Sequence, residues 1–368
     1  MANYVGNYIA GIIMKFDASF RQDTDFSINE YYKILSPEFP EFLKKYLSLP
    51  LLTRLMGVGL LCGSDWTPLF QNNFYYSRFD HSVATALIAW HFTHDKIQTI
   101  AALLHDVSTP AFSHVSDFRK GDALTQTATE DENAAMIHND TKLCKMLFSD
   151  GIKPCDVDDY HKFPVCDNEV PCLSADRLEY MYPSCAALIG SVNLDFVRKS
   201  YNDISVLKNE KGETELGFNT PEIASEYFEK TLRVGLLLQQ NEDKVALQLM
   251  ADVLNKALSL SIITEQDLYT LSEEKIISRF DSLVPDEKNS VFIKYYRAFR
   301  SMKEIVKSDV SLENHYCVSL KVKKRHINPL VRKGEGAVRI CDFYPELEKK
   351  RRQFLEYTDS VYGCVPLE

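Results

Sequence analysis

The sequence contains no C-x-x-C pair and no zinc-ribbon spacing, although nine cysteines are scattered at positions 62, 144, 155, 166, 172, 185, 317, 341 and 364. An odd, unpatterned set argues against a disulfide framework or a thiolate zinc site and fits reduced thiols in a cytosol. Positive charge is in deficit as well: 42 Lys and Arg stand against 52 Asp and Glu, for a net charge of −10 and a pI near 5.5. That balance opposes a broad electrostatic grip on nucleic acid, while local basic clusters can still hold phosphate. Long apolar runs are missing too. The N-terminal stretch "YVGNYIAGIIM" has no basic residue ahead of it and is followed by Lys15 and Asp17. It is too short to span a bilayer and lacks the charge pattern of a secretory signal. No internal repeat or low-complexity tract is present. The expectation is a soluble cytoplasmic protein with no membrane partner.

With 368 residues and 45% hydrophobic composition, the chain can bury a large core as one large domain with an appendage, or as two domains. Most of the patterning is helical. "DHSVATALIAWHFTH", from Asp80, is apolar nearly all round, as in a helix buried among helices. Asp95 can cap "KIQTIAALLHDV", a run that Pro110 ends. Thr220-Pro221 reads as an N-cap followed by an N1 proline, a further helix begins near Asp243, and Thr264 to Asp267 forms an acidic capping box. Near the C-terminus the period changes, with Tyr316, Val318, Leu320 and Val322 alternating as in a half-buried strand that "AVRICDF" can pair with. Segments 115–128, 150–171 and 201–220 read as loops, the last marking a boundary between residues 1–200 and 201–368.

One stretch poses a chemical question. "LLHDVSTPAFSH", residues 103–114, ends an apolar helix on His105 and Asp106 and closes with His114. A buried carboxylate is costly unless paired, hydrogen-bonded or bound to metal. Upstream, "YYSRFDHS" places Arg78 three residues before His81; downstream, "LSADRLEYMYPS" sets Asp176 in another helical pattern, with Arg177 beside it and Tyr180 one turn on. His81, His105, Asp106 and Asp176 together offer two imidazoles and two carboxylates. Such a set neutralises a divalent ion and leaves positions open for water, without choosing among Mn, Fe, Ni, Co, Zn or Mg. A metal of this kind makes water acidic enough to be a nucleophile near neutral pH.

The order R-x-x-H, then H-D with P-x-F-S-H, then A-D-R-L-x-Y resembles the HD-domain metal-dependent phosphohydrolases. "SRFDHS" and "LLHDVSTPAFSH" are most similar to the branch containing deoxynucleoside triphosphate triphosphohydrolases, over about residues 74–190. The resemblance implies an all-α fold: an HD-domain helical core over 1–200 and a helical C-terminal region, 201–368, with a small sheet. It implies His81, His105, Asp106 and Asp176 as ligands to one divalent metal ion. Arg78, Arg177 and Tyr180 would contact substrate phosphate. Asp106 and His114 would be the catalytic residues, with Asp117 orienting His114. Relatives of this branch assemble as oligomers, so a homo-oligomer is expected.

The sequence also departs from that branch. Thr109 stands where a histidine follows the His-Asp pair, or a glutamate in related nucleoside monophosphatases; Thr129 aligns with a second histidine, and Ser184 with an acid that contacts the sugar. A threonine cannot protonate a leaving group near neutral pH. The expected activity is metal-assisted hydrolysis of a phosphate ester or anhydride, with a nucleotide as the small-molecule substrate. The alternatives are an HD-type monophosphatase or phosphodiesterase, and a nucleotide-binding regulatory module with little turnover. The basic stretch "KVKKRH", Lys321 to His326, could hold an effector but reads as a solvated strand face. His91 and His94 read as surface or packing histidines, and Trp66, Tyr75 and Tyr76, which could shelve a base, read as core packing.

Overall fold

The structure is a computed structural model that describes residues 26–126 and 132–367. The N-terminal apolar run and Thr129 lie outside the described residues. Helix α1 spans Ile28–Leu35, α2 Arg78–Thr93 and α3 Lys96–Leu104. A capping box starts α2: the Ser77 hydroxyl accepts from the Asp80 N–H, and the Asp80 carboxylate accepts from the Ser77 N–H. The helix is then buried almost continuously from Phe79 to Ala89, as its all-round apolar pattern predicts. Asp95 caps α3 by accepting from the N–H groups of Ile97 and Gln98. That helix ends at Leu104, well before Pro110, so His105 and Asp106 project from its unwinding end.

From there the chain turns through Phe112 and Ser113, both at positive φ, 65° and 50°. Side chains other than glycine hold that conformation at a cost of about 1–3 kcal/mol each, so the surroundings must impose it. The buried Glu273 carboxylate accepts from the Phe112 N–H at 2.9 Å, and the Ser113 hydroxyl donates to the Gly59 carbonyl at 2.9 Å. Helix α4 follows at Val115–Arg119, then α5 at Asn133–Asn139, α6 at Thr141–Ser149 and α7 at Ala175–Ile189. Helix α7 packs on α2. Ser174 caps α7, which places Asp176 in the first turn, facing the end of α3.

The second half carries α8 (Leu194–Asn202), α9 (Pro221–Leu237), α10 (Asn241–Ser259), α11 (Glu265–Thr270), α12 (Glu273–Asp281), α13 (Ser290–Ser301) and α14 (Pro345–Glu356). The capping box of Thr264 and Asp267 opens α11 as expected. Thr220 precedes α9 without capping it, because its hydroxyl donates to Asp203 instead.

The all-α expectation is wrong. The described residues are about 53% helical with 9% strand, a mixed α/β fold with a helical majority. One sheet has four strands in the order β1 (Ile204–Lys208), β2 (Thr214–Phe218), β5 (Leu330–Lys333), β6 (Gly336–Arg339). A second has three, β3 (Val306–Ser308), β7 (Tyr362–Pro366), β4 (His315–Val318). Segment 201–220, read as a loop, is thus a hairpin whose second strand pairs in parallel with β5, Gly217 opposite Leu330. "AVRICDF" pairs with β5 rather than with the strand at Tyr316, which pairs with β7. Turn residues concealed these strands: Asn209 to Gly212 and Gly334 interrupt short apolar alternations that look too charged to pair. The first sheet also contains a buried ion pair. Fully buried Glu215 accepts from Arg339 at 2.6 Å and from the Leu173 N–H at 3.0 Å, which ties the sheet to the segment leading into α7.

Buried apolar side chains form two clusters. One centres on α2, α3 and α7, the other on α10, α12 and α13. Ala111, Phe112, Val115 and Phe118 belong to the second, so the chain crosses from one core to the other directly after the His-Asp pair. All nine cysteines are free. No helix among the described residues is long and apolar enough to cross a membrane.

Candidate metal centre

His81, His105 and Asp106 are buried, and their ligand atoms lie within 4.8 Å of one another, a group able to hold a metal ion. His81 comes from the first turn of α2, the other two from the end of α3. The Nε2 atoms of the imidazoles are 3.1 Å apart. Asp106 Oδ2 lies 3.8 Å from His81 Nε2 and 3.6 Å from His105 Nε2. Asp176, outside that group of three, brings Oδ1 to 3.0 Å from His81 Nε2 and 3.6 Å from His105 Nε2. Ligands about 2.0–2.2 Å from one ion stand roughly this far apart.

The backs of both rings are fixed. His105 Nδ1 donates to the Ala102 carbonyl at 2.7 Å. His81 Nδ1 pairs with Glu179 Oε2, whose other oxygen accepts from the hydroxyls of Tyr76 at 2.6 Å and Tyr31 at 3.1 Å. Glu179 is fully buried. Neutral rings with protons on Nδ1 turn two Nε2 lone pairs toward two carboxylate oxygens, an arrangement that only a cation or protons can relieve. The electrostatics express the same demand. Burial favours neutral imidazole, but Glu179 and Asp176 overcome it and push His81 up to about 10. Asp176 is driven well below the usual carboxylate range against its burial by the two histidines.

Arg78, at the start of α2, donates to Asp106 Oδ2 at 2.7 Å and through Nε to the Ser113 hydroxyl at 3.1 Å. Burial alone would raise the Asp106 carboxyl; Arg78 and the two histidines instead hold it far below its ordinary value. Asp106 is therefore a fixed anion and a poor proton acceptor. Thr109 donates its hydroxyl to the other Asp106 oxygen at 2.8 Å, so it supports the ligand and holds no titratable proton.

A cavity of about 260 Å³ opens in front of these groups, lined from both halves of the chain. Arg78, His114, Arg177, Tyr180 and Ser184 reach it, as the sequence motifs imply. His114 Nδ1 lies 2.8 Å from Asp117 Oδ2, the expected orientation. Burial, with Arg325 and Arg78 nearby, lowers His114 to about 4 despite Asp117, so the ring is neutral at pH 7. Arg177 is less available. It bonds the side chain and carbonyl of Asn168 and the Cys172 carbonyl, and pairs with Asp167 at 3.1 Å.

Sequence reasoning missed several lining residues. Arg325, read as part of a solvated strand face, enters the cavity with Nη2 2.6 Å from Gln126 Oε1 and 3.3 Å from His114 Nε2. The segment around it is not a strand. Its approach depends on Gly235 in α9, where a Cβ would sit 2.4 Å from the Arg325 carbonyl oxygen. Glu179 was visible in principle, three residues after Asp176 on one helix. Tyr160, His161 and Asp243 also line the cavity and had no local motif to announce them. Trp66, Tyr75 and Tyr76 do not face it; the Trp66 indole donates to Glu273 and the Tyr75 hydroxyl to the Met56 carbonyl.

No family model matches the chain, and no curated protein matches it. Among solved structures it is similar to a hypothetical protein from Aquifex aeolicus, with a TM-score of 0.62 and 13% identity over 89% of this chain and 93% of that one. At that identity the likeness speaks to the fold alone.

Proposed function

We propose that this protein is a metal-dependent phosphohydrolase that cleaves a phosphate ester or anhydride of a small molecule, with a nucleotide as the favoured substrate class. His81, His105, Asp106 and Asp176 would hold one divalent ion. The observation that carries the reading is the pair of imidazole Nε2 atoms 3.1 Å apart, each 3.0–3.8 Å from an Asp106 and an Asp176 oxygen, at the floor of a cavity that also holds Arg78 and Arg325. The ion, when bound, supplies positive charge and acidifies water.

The chain's own groups suit phosphate. Arg78 holds Asp106 with one nitrogen and Ser113 with another, and no described residue accepts from its Nη2. That nitrogen, the Tyr180 hydroxyl and Arg325 form a donor set against the charge that builds on non-bridging oxygens. Arg177 also lines the cavity, with its two terminal nitrogens engaged by the 167–172 segment. Neutral His114 accepts from Arg325 at Nε2, which holds that guanidinium at the cavity. Leu188, Val234, Leu238 and Leu247 give the cavity an aliphatic wall on which a flat, weakly polar group such as a nucleobase can rest.

Thr109 favours one second reading, a nucleotide-binding regulatory module of low turnover, since its hydroxyl is committed to Asp106 and offers no acid-base group. The deciding experiment screens metal-loaded protein against deoxynucleotides, ribonucleotides and cyclic dinucleotides, identifying every product, with single-turnover assays on whatever binds. Metal-dependent release of phosphate, pyrophosphate or triphosphate supports the enzyme. Tight binding without release in a single turnover supports the module.

A further inference from the structure

Resting on that reading, we propose that Asp243 is the specificity-determining residue of the cavity, accepting from the sugar hydroxyls of a ribonucleotide and so favouring it over the 2′-deoxy form. Asp106, Asp167, Asp176 and Asp243 are the carboxylates that line the cavity. Asp106 and Asp176 face the two histidines, while Asp167 pairs with Arg177 and accepts from the Ser174 hydroxyl at 3.3 Å. Asp243 has no such commitment. Among the described residues no donor hydrogen-bonds its carboxyl; burial pushes it up to about 7, opposed only by the charges of Arg325 and Lys244. Although it stands in the first turn of α10, it does not cap that helix: the N-cap residue is Gln240, and no N–H of the turn bonds the Asp243 side chain. A partly buried carboxyl with unfilled acceptor sites on the wall of a substrate cavity demands donors, and the substrate can supply them.

Its surroundings single out the part of the substrate it meets. Asp243 and Leu247 line the cavity from one face of α10, a single turn apart, and Leu247 belongs to the aliphatic wall with Leu188, Val234 and Leu238. On its other side lies the phosphate end. The Cys62 thiol, also on the cavity surface, feels the charges of Arg78, Arg325 and Asp243 together. Asp243 therefore stands between the cationic donors and the apolar wall. A carboxylate there repels phosphate and offers a nucleobase resting on the wall no apolar contact. It suits the neutral, hydroxyl-bearing group that joins the two. In a nucleotide that group is the sugar, and a carboxylate accepting from ribose hydroxyls is the arrangement by which dinucleotide sites read the 2′-OH. A 2′-deoxy sugar leaves one acceptor site of the carboxylate unmatched.

The test measures dissociation constants on the Mn²⁺-loaded chain at about pH 8, where the carboxyl is ionised. The probes are the hydrolysis-resistant α,β-imido triphosphates of the common ribonucleosides, their 2′-deoxy forms, and inorganic tripolyphosphate. A hydrogen bond to a charged group is worth about 10–10²-fold in affinity. The parent should prefer each ribonucleotide on that order, whatever the base. The preference should fall to near unity in Asp243→Ala and to an intermediate value in Asp243→Asn, which keeps one accepting oxygen. Tripolyphosphate should bind both variants no more weakly than the parent, with metal content and circular dichroism unchanged. Equal binding of ribose and deoxyribose forms by the parent, a preference that survives in Asp243→Ala, or a loss that follows the base instead of the sugar overturns the assignment while leaving the nucleotide reading intact. A parent that binds none of the nucleotide analogues removes that reading and the role of Asp243 together.

Discussion

His81 Nε2 and His105 Nε2 lie 3.1 Å apart, while on each ring the opposite nitrogen is already taken, by Glu179 in one case and the Ala102 carbonyl in the other. The rings cannot turn away from each other without breaking a buried bond. Glu179 is therefore as much a part of the centre as the ligands, and its loss has a specific consequence.

Glu179→Gln keeps an oxygen for Tyr31 and Tyr76 but confronts His81 Nδ1 with an amide donor. Partners behind a ligating histidine are worth about 10–100-fold in metal affinity. Chelator competition should show a weakening of that size. Affinity equal to the parent would mean that Glu179 serves the fold only.

Gly235→Ala tests how Arg325 is delivered. The new methyl would meet the Arg325 carbonyl at 2.4 Å, so the backbone must shift. Overpacking of this kind costs about 1–3 kcal/mol. Turnover should fall with metal content intact, because Arg325 touches the cavity and none of the four proposed ligands. Parent-like turnover would remove Arg325 from the phosphate site.

Asp243 offers a test by pH. Burial pushes its carboxyl up to about 7, with Arg325 and Lys244 opposing, against an ordinary value of 3.8. The folded chain thus holds this proton more tightly than the unfolded one. The stability it contributes is complete below the unfolded value and is lost as pH rises through about 7. Asparagine has no such dependence. The melting temperature of Asp243→Asn relative to the parent should rise between about pH 4.5 and about pH 8. A constant difference would place the carboxyl in ordinary contact with water.

Arg339→Met probes the four-stranded sheet, whose pairing the sequence reading misassigned. It strands Glu215, which is fully buried, without its guanidinium. Breaking one partner from a buried ion pair costs about 3–5 kcal/mol. Urea denaturation should show a loss in that range, and a change below about 1 kcal/mol would mean that Glu215 is neutralised by other means.

Legibility in the sequence followed range. The α2 and α3 helices and the cap at Asp95 were readable because local spacing fixes them, whereas the grouping of His81, His105, Asp106 and Asp176, spread over three elements, rested on the resemblance of their motifs and not on spacing. Strands at Tyr316 and Ala337 showed in their alternation, but the pairing of the sheets did not, since β2 pairs with β5 across more than a hundred residues and nothing near Gly217 announces Leu330. The same holds for the cavity's far side. Arg325 and His161 reach it through tertiary packing, on Gly235 and on Tyr160 with His105, and a basic run or an isolated histidine looks like surface until that packing is known.

The most direct measurement is the metal content of the purified chain by mass spectrometry, for the parent, His81→Ala and Asp106→Ala. A single mononuclear centre requires about one divalent transition metal per parent chain and strong depletion in both variants, with the variants still folded by circular dichroism. Parent-like metal content in both variants, or a parent that takes up no divalent ion from any of the candidate metals, would contradict it.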